Sequence, residues 1–277
     1  MSSASPSAHT APVSWPLPPI MLASAGLHAA ALGAAVLVPG AWPWALGAVA
    51  LNHAVITGAG LTPRSKLLGP NVTRLPAPAV ARREIALTID DGPEPAVTPQ
   101  VLDLLDAAGQ RATFFCIAER VAAHPALARE IVARGHSIQN HTAKHRHNFS
   151  FLGPRGYAAE ISRAQDMLTD ITGQRPTCFR APAGLRNPFL APVLHRLGLS
   201  LVSWTRRGFD TRERDPAKVL ARLGQGLAAG DILLLHDGNA ARTASGEPVV
   251  LAVLPPLLAQ IKTAQLRAVT LPEGLAA

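Results

Sequence analysis

Two aspartates and two histidines carry the strongest chemical signal in this 277-residue chain. Asp90 and Asp91 stand in the run Thr88-Ile89-Asp90-Asp91-Gly92, and His141 and His145 bracket the later run His141-Thr142-Ala143-Lys144-His145. Carboxylates and neutral imidazoles together form a nitrogen and oxygen ligand set for a divalent cation. A three-ligand set of this kind leaves a coordination position for water, which is the arrangement of a metal-dependent hydrolase. Zinc is the default ion for such ligands, and cobalt, nickel, manganese and iron also suit them.

Elements must position these groups. Residues 84–89 (EIALTI) form an aliphatic, β-branched run with the pattern of a buried strand, so the aspartates lie at its C-terminal end, where α/β enzymes place their chemistry. Side chains alternate along a strand, so Asp90 and Asp91 divide the work, one facing a metal and the other the substrate, with Gly92 and Pro93 turning the chain. The same Asp-Asp-Gly-Pro run also describes an ordinary turn with a helix cap. His141 and His145 share one face of a helix, or ligate together from a tight loop. The competing interpretation is a solvated polar stretch, since Lys144, Arg146, His147 and Asn148 crowd the segment.

Two further segments supply an orienting cation and an acid. Arg180 follows a short strand-like stretch and precedes the turn Ala181-Pro182-Ala183-Gly184, and the apolar run Ile232-Leu233-Leu234-Leu235 ends on His236. An arginine beside a carboxylate fixes its orientation, and a histidine at a neighbouring strand end donates a proton near neutral pH. Taken singly, Arg180 also suits a surface ion pair, and His236 a turn cap through Asp237 and Gly238.

In this order the four segments, Thr88 to Gly92, His141 to His145, Arg180 to Gly184 and Leu234 to His236, resemble the successive motifs of the polysaccharide deacetylases, carbohydrate esterase family four, over roughly residues 83–270. The resemblance implies an α/β fold, a distorted (β/α) barrel with fewer than eight strands, and a metal-dependent hydrolase that removes an N-acetyl or other N-acyl group from an amino sugar. It implies Asp91, His141 and His145 as ligands of one divalent metal. Asp90 becomes the general base, Arg180 its holder and His236 the general acid. A backbone N–H near Ala183 would stabilise the oxyanion, and Leu234 and Trp204 would line the pocket for the acetyl methyl. Where an aromatic residue usually precedes the glycine of the arginine motif this chain has Ala183, which removes a wall of the sugar groove. Where an Asp-x-x-Asp-Trp pattern is usual, it reads Trp204-Thr205-Arg206-Arg207-Gly208-Phe209-Asp210-Thr211-Arg212. Asp210 then orients His236, and the surrounding arginines suit either an anionic substrate group, such as a phosphate, or a solvated charged loop. A deformylase or O-acetyl esterase using the same site is the nearest alternative. A catalytically silent membrane protein that binds glycan or lipid is the alternative from another class.

The N-terminal region is different material. Met1 to Pro63 holds no Asp, Glu, Lys or Arg, and two apolar runs, residues 20–38 and 42–59, are each long enough to cross a bilayer. Pro39, Gly40, Trp42, Pro43 and Trp44 suit a turn at a membrane interface, and small residues on both runs allow close helix approach. The expected organisation is a disordered segment 1–16, a transmembrane helical hairpin 17–63, a basic linker 64–82 and a catalytic domain 83–277. A signal peptide rivals the hairpin for the first run, although no positive n-region precedes it and a second span follows, and a buried helix pair in a soluble protein is the remaining interpretation. His28, Asn52 and His53 are the polar exceptions in the hairpin, free to face one another. Arg64, Lys66, Arg74, Arg82 and Arg83 follow the second span, which favours a cytoplasmic catalytic domain at a bacterial-type inner membrane and a lipid-linked sugar or glycolipid over finished polymer. The net charge of +8 comes with only 4% aromatic residues and no basic stripe interleaved with aromatics, so nucleic acid is not an expected partner, whereas an N-acetylated glycan and the lipid bilayer are. Cys116 and Cys178 lie in apolar strand-like runs and read as free thiols.

Overall fold

The computed structural model describes residues 15–276. At its centre lie eight strands: β1 (Glu84–Asp90), β2 (Thr113–Cys116), β3 (Ser137–Asn140), β4 (Cys178–Phe179), β5 (Ser200–Leu201), β6 (Arg206–Arg207), β7 (Ile232–His236) and β8 (Arg267–Val269). All pair in parallel, in the order β5-β4-β3-β2-β1-β7-β6. The short β8 pairs with Glu84 to Ala86 of β1, and β2 pairs with Thr88 to Asp90, so the two share one edge of the central strand. The path's two ends are pieces of one extended stretch: Ser200 and Leu201 pair with β4, and Arg206 and Arg207 pair with β7. The sheet thereby curls back on itself with seven strands along its path, the distorted barrel with fewer than eight staves that the resemblance implies.

The connections are helical: α1 (Pro19–Leu37), α2 (Trp42–Leu61), α3 (Ala77–Ala81), α4 (Thr98–Ala107), α5 (Ala118–Ala123), α6 (Pro125–Ala133), α7 (Pro154–Thr172), α8 (Leu190–Arg196), α9 (Pro216–Gly224), α10 (Val249–Thr263) and α11 (Leu271–Leu275). The helical spacing over residues 122–134 predicts one helix, but the chain forms α5 and α6 instead, because Pro125 cannot continue the first and starts the second. The helical spacing over residues 216–229 likewise predicts one helix, and α9 ends early within it, at Gly224.

Period two sorts the strand residues by face. Ile85, Leu87 and Ile89 of β1, with Leu233 and Leu235 of β7, pack outward against α4 and α10 through Leu102, Leu105, Leu254 and Ile261. Ala86, Phe115, Cys178, Ile232 and Leu234 pack together on the barrel's inner side. Extending that inner face by one or two steps reaches Asp90 from Ala86 and Thr88, Arg180 from Cys178, and His236 from Leu234. All three are buried at the C-terminal mouth of the barrel. Cys116 and Cys178 are buried free thiols on β2 and β4.

Helices α1 and α2 form the N-terminal hairpin, with mean hydropathy 1.9 and 1.3 over their most apolar windows. Their polar residues meet as expected: Asn52 donates to the Ser24 hydroxyl at 2.8 Å, His28 Nδ1 donates to the Ser24 carbonyl at 2.7 Å, and His28 and His53 approach to 3.3 Å. Leu22, Leu32, Val36, Leu37, Trp44 and Leu51 stay exposed, so the hairpin is not a helix pair of the soluble core.

The foot of the hairpin is tied to the barrel mouth. Arg186 N–H donates to the Gly60 carbonyl at 3.1 Å, and the Ser203 hydroxyl donates to the Pro63 carbonyl at 2.6 Å. Residues 64–82, expected as a linker, lie on the domain: Leu68 is buried, Val72 bridges to Val202, and Arg74 and Arg82 pair with Asp231 and Glu84 at 3.1 and 3.0 Å. Of the segment 1–16 expected to be disordered, residues 1–14 lie outside the described residues, and Trp15 packs on His195 with ring centroids 5.1 Å apart.

Candidate active site

Asp90 is the last residue of β1 and Asp91 the first beyond it. Asp91 has φ 74°, so the chain has left the strand and swung the second carboxylate away from the inner-face direction of Asp90. Gly92 is required here, because a Cβ at this position would lie 2.4 Å from an oxygen of the buried Asp237. Asp237 accepts from the Thr98 hydroxyl at 2.5 Å and from the Gly238 N–H at 2.8 Å, which joins the turns after β1 and β7. Burial pushes the Asp237 carboxyl up to about 7.

His141 and His145 sit on a tight loop, not a helix, with Thr142 and His145 at φ 71° and 51°. Asn140 pins the loop by accepting from the Thr142 N–H at 2.8 Å and donating to Gln165 at 2.8 Å. The Thr142 hydroxyl in turn accepts from the His145 N–H at 2.8 Å. Asp91, His141 and His145 each offer one ligand atom, and these atoms lie within 4.8 Å of one another.

The donor set fits a cation. His141 Nδ1 lies 2.8 Å from the Arg180 carbonyl, which can only accept, so the proton is on Nδ1 and Nε2 presents a lone pair. That lone pair faces Asp91 Oδ1 at 3.3 Å, and His145 Nε2 faces the same oxygen at 3.3 Å. Asp91 Oδ1 is buried and receives no hydrogen bond. Burial and the neighbouring His141 hold His145 down to about 4, so it is neutral at physiological pH. Acceptors converging on one buried oxygen repel unless a positive ion lies among them.

Arg180 holds the other carboxylate. Its Nη1 donates to Asp90 Oδ1 at 2.6 Å and to the Thr88 hydroxyl at 2.8 Å, and Nη2 donates to the Ser203 carbonyl at 3.0 Å. The guanidinium lies 4.1 Å from the Phe115 ring centroid and is 1% exposed, so this ion pair is sealed from water. At β7, His236 Nδ1 donates to Asp210 Oδ1 at 2.9 Å, while the His236 N–H holds Oδ2 at 2.7 Å. Burial disfavours the imidazolium, but the adjacent Asp210 carboxylate outweighs it and raises His236 to about 9.

A cleft of about 760 Å3 joins these groups. Asp90, Asp91, His141, His145 and His236 line it together with Ala183, Trp204 and Leu234, while Arg180 and Asp210 stand behind Asp90 and His236. The structure therefore gathers at one mouth the candidate catalytic, metal-binding and pocket residues named from the sequence. Sequence reasoning missed Asn239, which donates to Asp91 Oδ2 at 3.0 Å, along with Thr88, Asn140 and Asp237 as positioning residues. Nearness of Asn239 to His236 was the one available hint.

A polysaccharide deacetylase family model matches residues 78–202. The peptidoglycan-N-acetylglucosamine deacetylase of Bacillus cereus is 32% identical over 202 residues, covering 69% of this chain and 87% of the relative. The chain belongs to the polysaccharide deacetylase family. A chitooligosaccharide deacetylase of Bradyrhizobium is 34% identical over 56% of this chain and 71% of its own length. Among solved structures, a family 4 carbohydrate esterase from Streptomyces lividans with bound acetate matches at TM-score 0.60 and 30% identity, covering 67% of this chain and 91% of that one. Polysaccharide deacetylases of this family are metal-dependent hydrolases of amide bonds in amino sugars, and the Asp91, His141 and His145 group is the candidate metal site.

Arg180→Met leaves Asp90 buried and uncompensated, and is expected to cost about 3–5 kcal/mol in thermal unfolding of the detergent-solubilised protein. The double variant Arg180→Met, Asp90→Leu is expected to recover most of that loss, because no unpaired buried charge remains.

Proposed function

We propose that this protein is a membrane-anchored, zinc-dependent deacetylase that removes the N-acetyl group of an amino sugar in a glycan or glycolipid. The supporting observation is the pairing of two opposed devices across one cleft: a carboxylate locked by Arg180 and an imidazolium locked by Asp210. Amide hydrolysis needs both, since an amine departs only once its nitrogen is protonated and water attacks only as it loses a proton. Binding alone needs neither, which disfavours a silent binding protein.

When bound by Asp91, His141 and His145, a zinc ion acidifies water and polarises the amide carbonyl. The residues do the rest. Asp90 takes the proton of the attacking water, and Arg180 keeps its carboxylate aimed inward. A backbone N–H near Ala183, where φ is 54°, would donate to the oxyanion. His236 delivers its proton to the departing nitrogen. Leu234 and Trp204 form the apolar wall for the acyl methyl, and the small Ala183 leaves one side of the sugar groove open. Formyl or O-acetyl groups meet the same base and acid, so acyl preference rests on how closely Leu234 and Trp204 fit the methyl.

Residues 83–277 form the catalytic unit in this scheme and residues 17–63 its transmembrane anchor. Helices of 19 and 20 residues span about 28–30 Å, the thickness of a bilayer's hydrocarbon core. Arg64, Lys66, Arg74, Arg82 and Arg83 after the second span support a catalytic domain on the cytoplasmic side of an inner membrane in this reading.

Asp90→Asn is expected to lower turnover of N-acetylated amino-sugar substrates at least a thousandfold while retaining one equivalent of zinc, scored by acetate release and metal analysis; retained activity would assign the base elsewhere. The raised pKa of His236 favours the folded, protonated form at neutral pH. Its contribution to stability is complete below about 6.5 and fades as pH rises through about 9, and the acid function fades with it. Asp210→Asn is expected to move the alkaline limb of the rate profile down by about 1–3 units. A phosphatase fused after Ala277 is expected to stay inactive and a fluorescent protein to fold, in keeping with a cytoplasmic C-terminus.

A further inference from the structure

One wall of the cleft carries positive charge that the chain itself does not use. Of the arginines near Asp210, three are committed: Arg206 pairs with Asp231 at 2.6 Å, Arg222 with Glu213 at 3.3 Å, and Arg214 donates to the Arg242 carbonyl at 3.0 Å. Arg207 and Arg212 are different. Both line the cleft, and among the described residues neither makes an ion pair or a side-chain hydrogen bond. Arg207 is half-buried, and its Nε is sealed from solvent without a partner. Its guanidinium is held between the rings of Trp204 and Phe209, 5.2 and 5.0 Å from their centroids. A guanidinium fixed by two aromatic rings on a residue that lines the cleft is preorganised for an anion, because little side-chain entropy remains to be lost on binding.

A second observation concerns where that wall stands. The hairpin enters the barrel at the same C-terminal mouth. A Cβ added to Gly184 would lie 2.6 Å from Pro63 Cβ and 2.8 Å from the Trp204 ring, so a proline just beyond the second apolar helix and the ring beneath Arg207 meet across this glycine. Leu61, the last residue of that helix, is two residues from Pro63, at most about 7 Å of chain. The bilayer surface at the helix end is thus held beside the cleft.

We propose that Arg207 and Arg212 form a phosphate subsite, and that the amino sugar hydrolysed here carries a phosphate or diphosphate linking it to a lipid in the adjacent membrane. This deepens the function proposed above and rests on it. Paired guanidiniums match phosphate oxygens in number and geometry. A lipid chain joined through that phosphate keeps the sugar at the depth where the hairpin positions the mouth. The open side left by Ala183 suits a single sugar arriving from the membrane, where a long polymer would need a continuous groove.

The test uses the full-length, zinc-loaded protein in nanodiscs. Its kcat/KM is measured on three probes: a polyprenyl diphosphate N-acetylhexosamine, a nucleoside diphosphate N-acetylhexosamine and a neutral N-acetylhexosamine glycoside. The lipid-linked probe is expected to exceed the neutral one by 30-fold or more, on the order of two bidentate charge-assisted contacts, and this ratio should fall about tenfold in Arg212→Gln and in Arg207→Gln. Because Arg212 is exposed, its variant keeps the test valid if Arg207→Gln fails to fold. Equal kcat/KM for phosphorylated and neutral sugars, or a ratio unchanged by Arg212→Gln, overturns the subsite. Equal rates on the lipid and nucleotide probes overturn the lipid-linked substrate. Calorimetric binding of the nucleotide probe to Asp90→Asn separates the two proposals: Arg212-dependent binding with no turnover of any probe by the parent protein refutes the deacetylase and supports the subsite.

Discussion

The buried guanidinium of Arg180 is the constraint on which the rest of the site depends. A charge that is 1% exposed survives in a protein interior only if its donors are occupied, and here they reach Asp90, Thr88 and the carbonyls of Val202 and Ser203. Those partners belong to β1 and to the stretch that follows β5, so one side chain ties the central strand to the segment that closes the barrel. The backbone oxygen of the same residue holds His141 Nδ1. Arg180 therefore fixes both the aim of the proposed base and the tautomer of a proposed ligand. Substitution by lysine would lose the planar fork that makes this possible.

Around that hub the site keeps its two proton-handling groups apart by giving them opposite surroundings. Asp90 is matched to a guanidinium, whereas His236 is matched to the Asp210 carboxylate, which keeps the imidazole charged despite its burial. The ligand pair follows a third rule. His141 and His145 lie close together beside a carboxylate oxygen that receives no hydrogen bond, an arrangement that suits a metal ion. Asp237, Gly92 and Thr98 brace the two loops that carry these groups, so the geometry exists before a substrate arrives.

The apolar hairpin is part of this construction and not a detached tether. Its foot shares Gly184 and Trp204 with the cleft wall, and the segment after it packs Leu68 and Val72 onto the barrel. The basic residues that follow the second helix have folded-state duties as well: Arg74 and Arg82 neutralise the buried Asp231 and Glu84.

Residue types and spacing alone marked out the strands and a candidate site. Short aliphatic runs ending on Asp90, Arg180 and His236 announce strands with functional C-termini, and period two puts all three on one face. The charge-free N-terminus announces the apolar hairpin equally clearly. Tertiary structure decided what depends on contacts distant in sequence. That Asp91 leaves the strand at φ 74°, and that the His141 loop is not a helix, follow from Asp237 beneath Gly92 and from Asn140 and Thr142 pinning the loop. Closure of the barrel by the stretch from Ser200 to Arg207 was illegible, because strands of two residues carry no periodicity. The docking of residues 64–82 was illegible for a related reason: a Pro- and Arg-rich stretch reads as linker until the partners of its few apolar residues are known. Sequence spacing records which residues are available, and only the fold brings together those separated by many tens of positions.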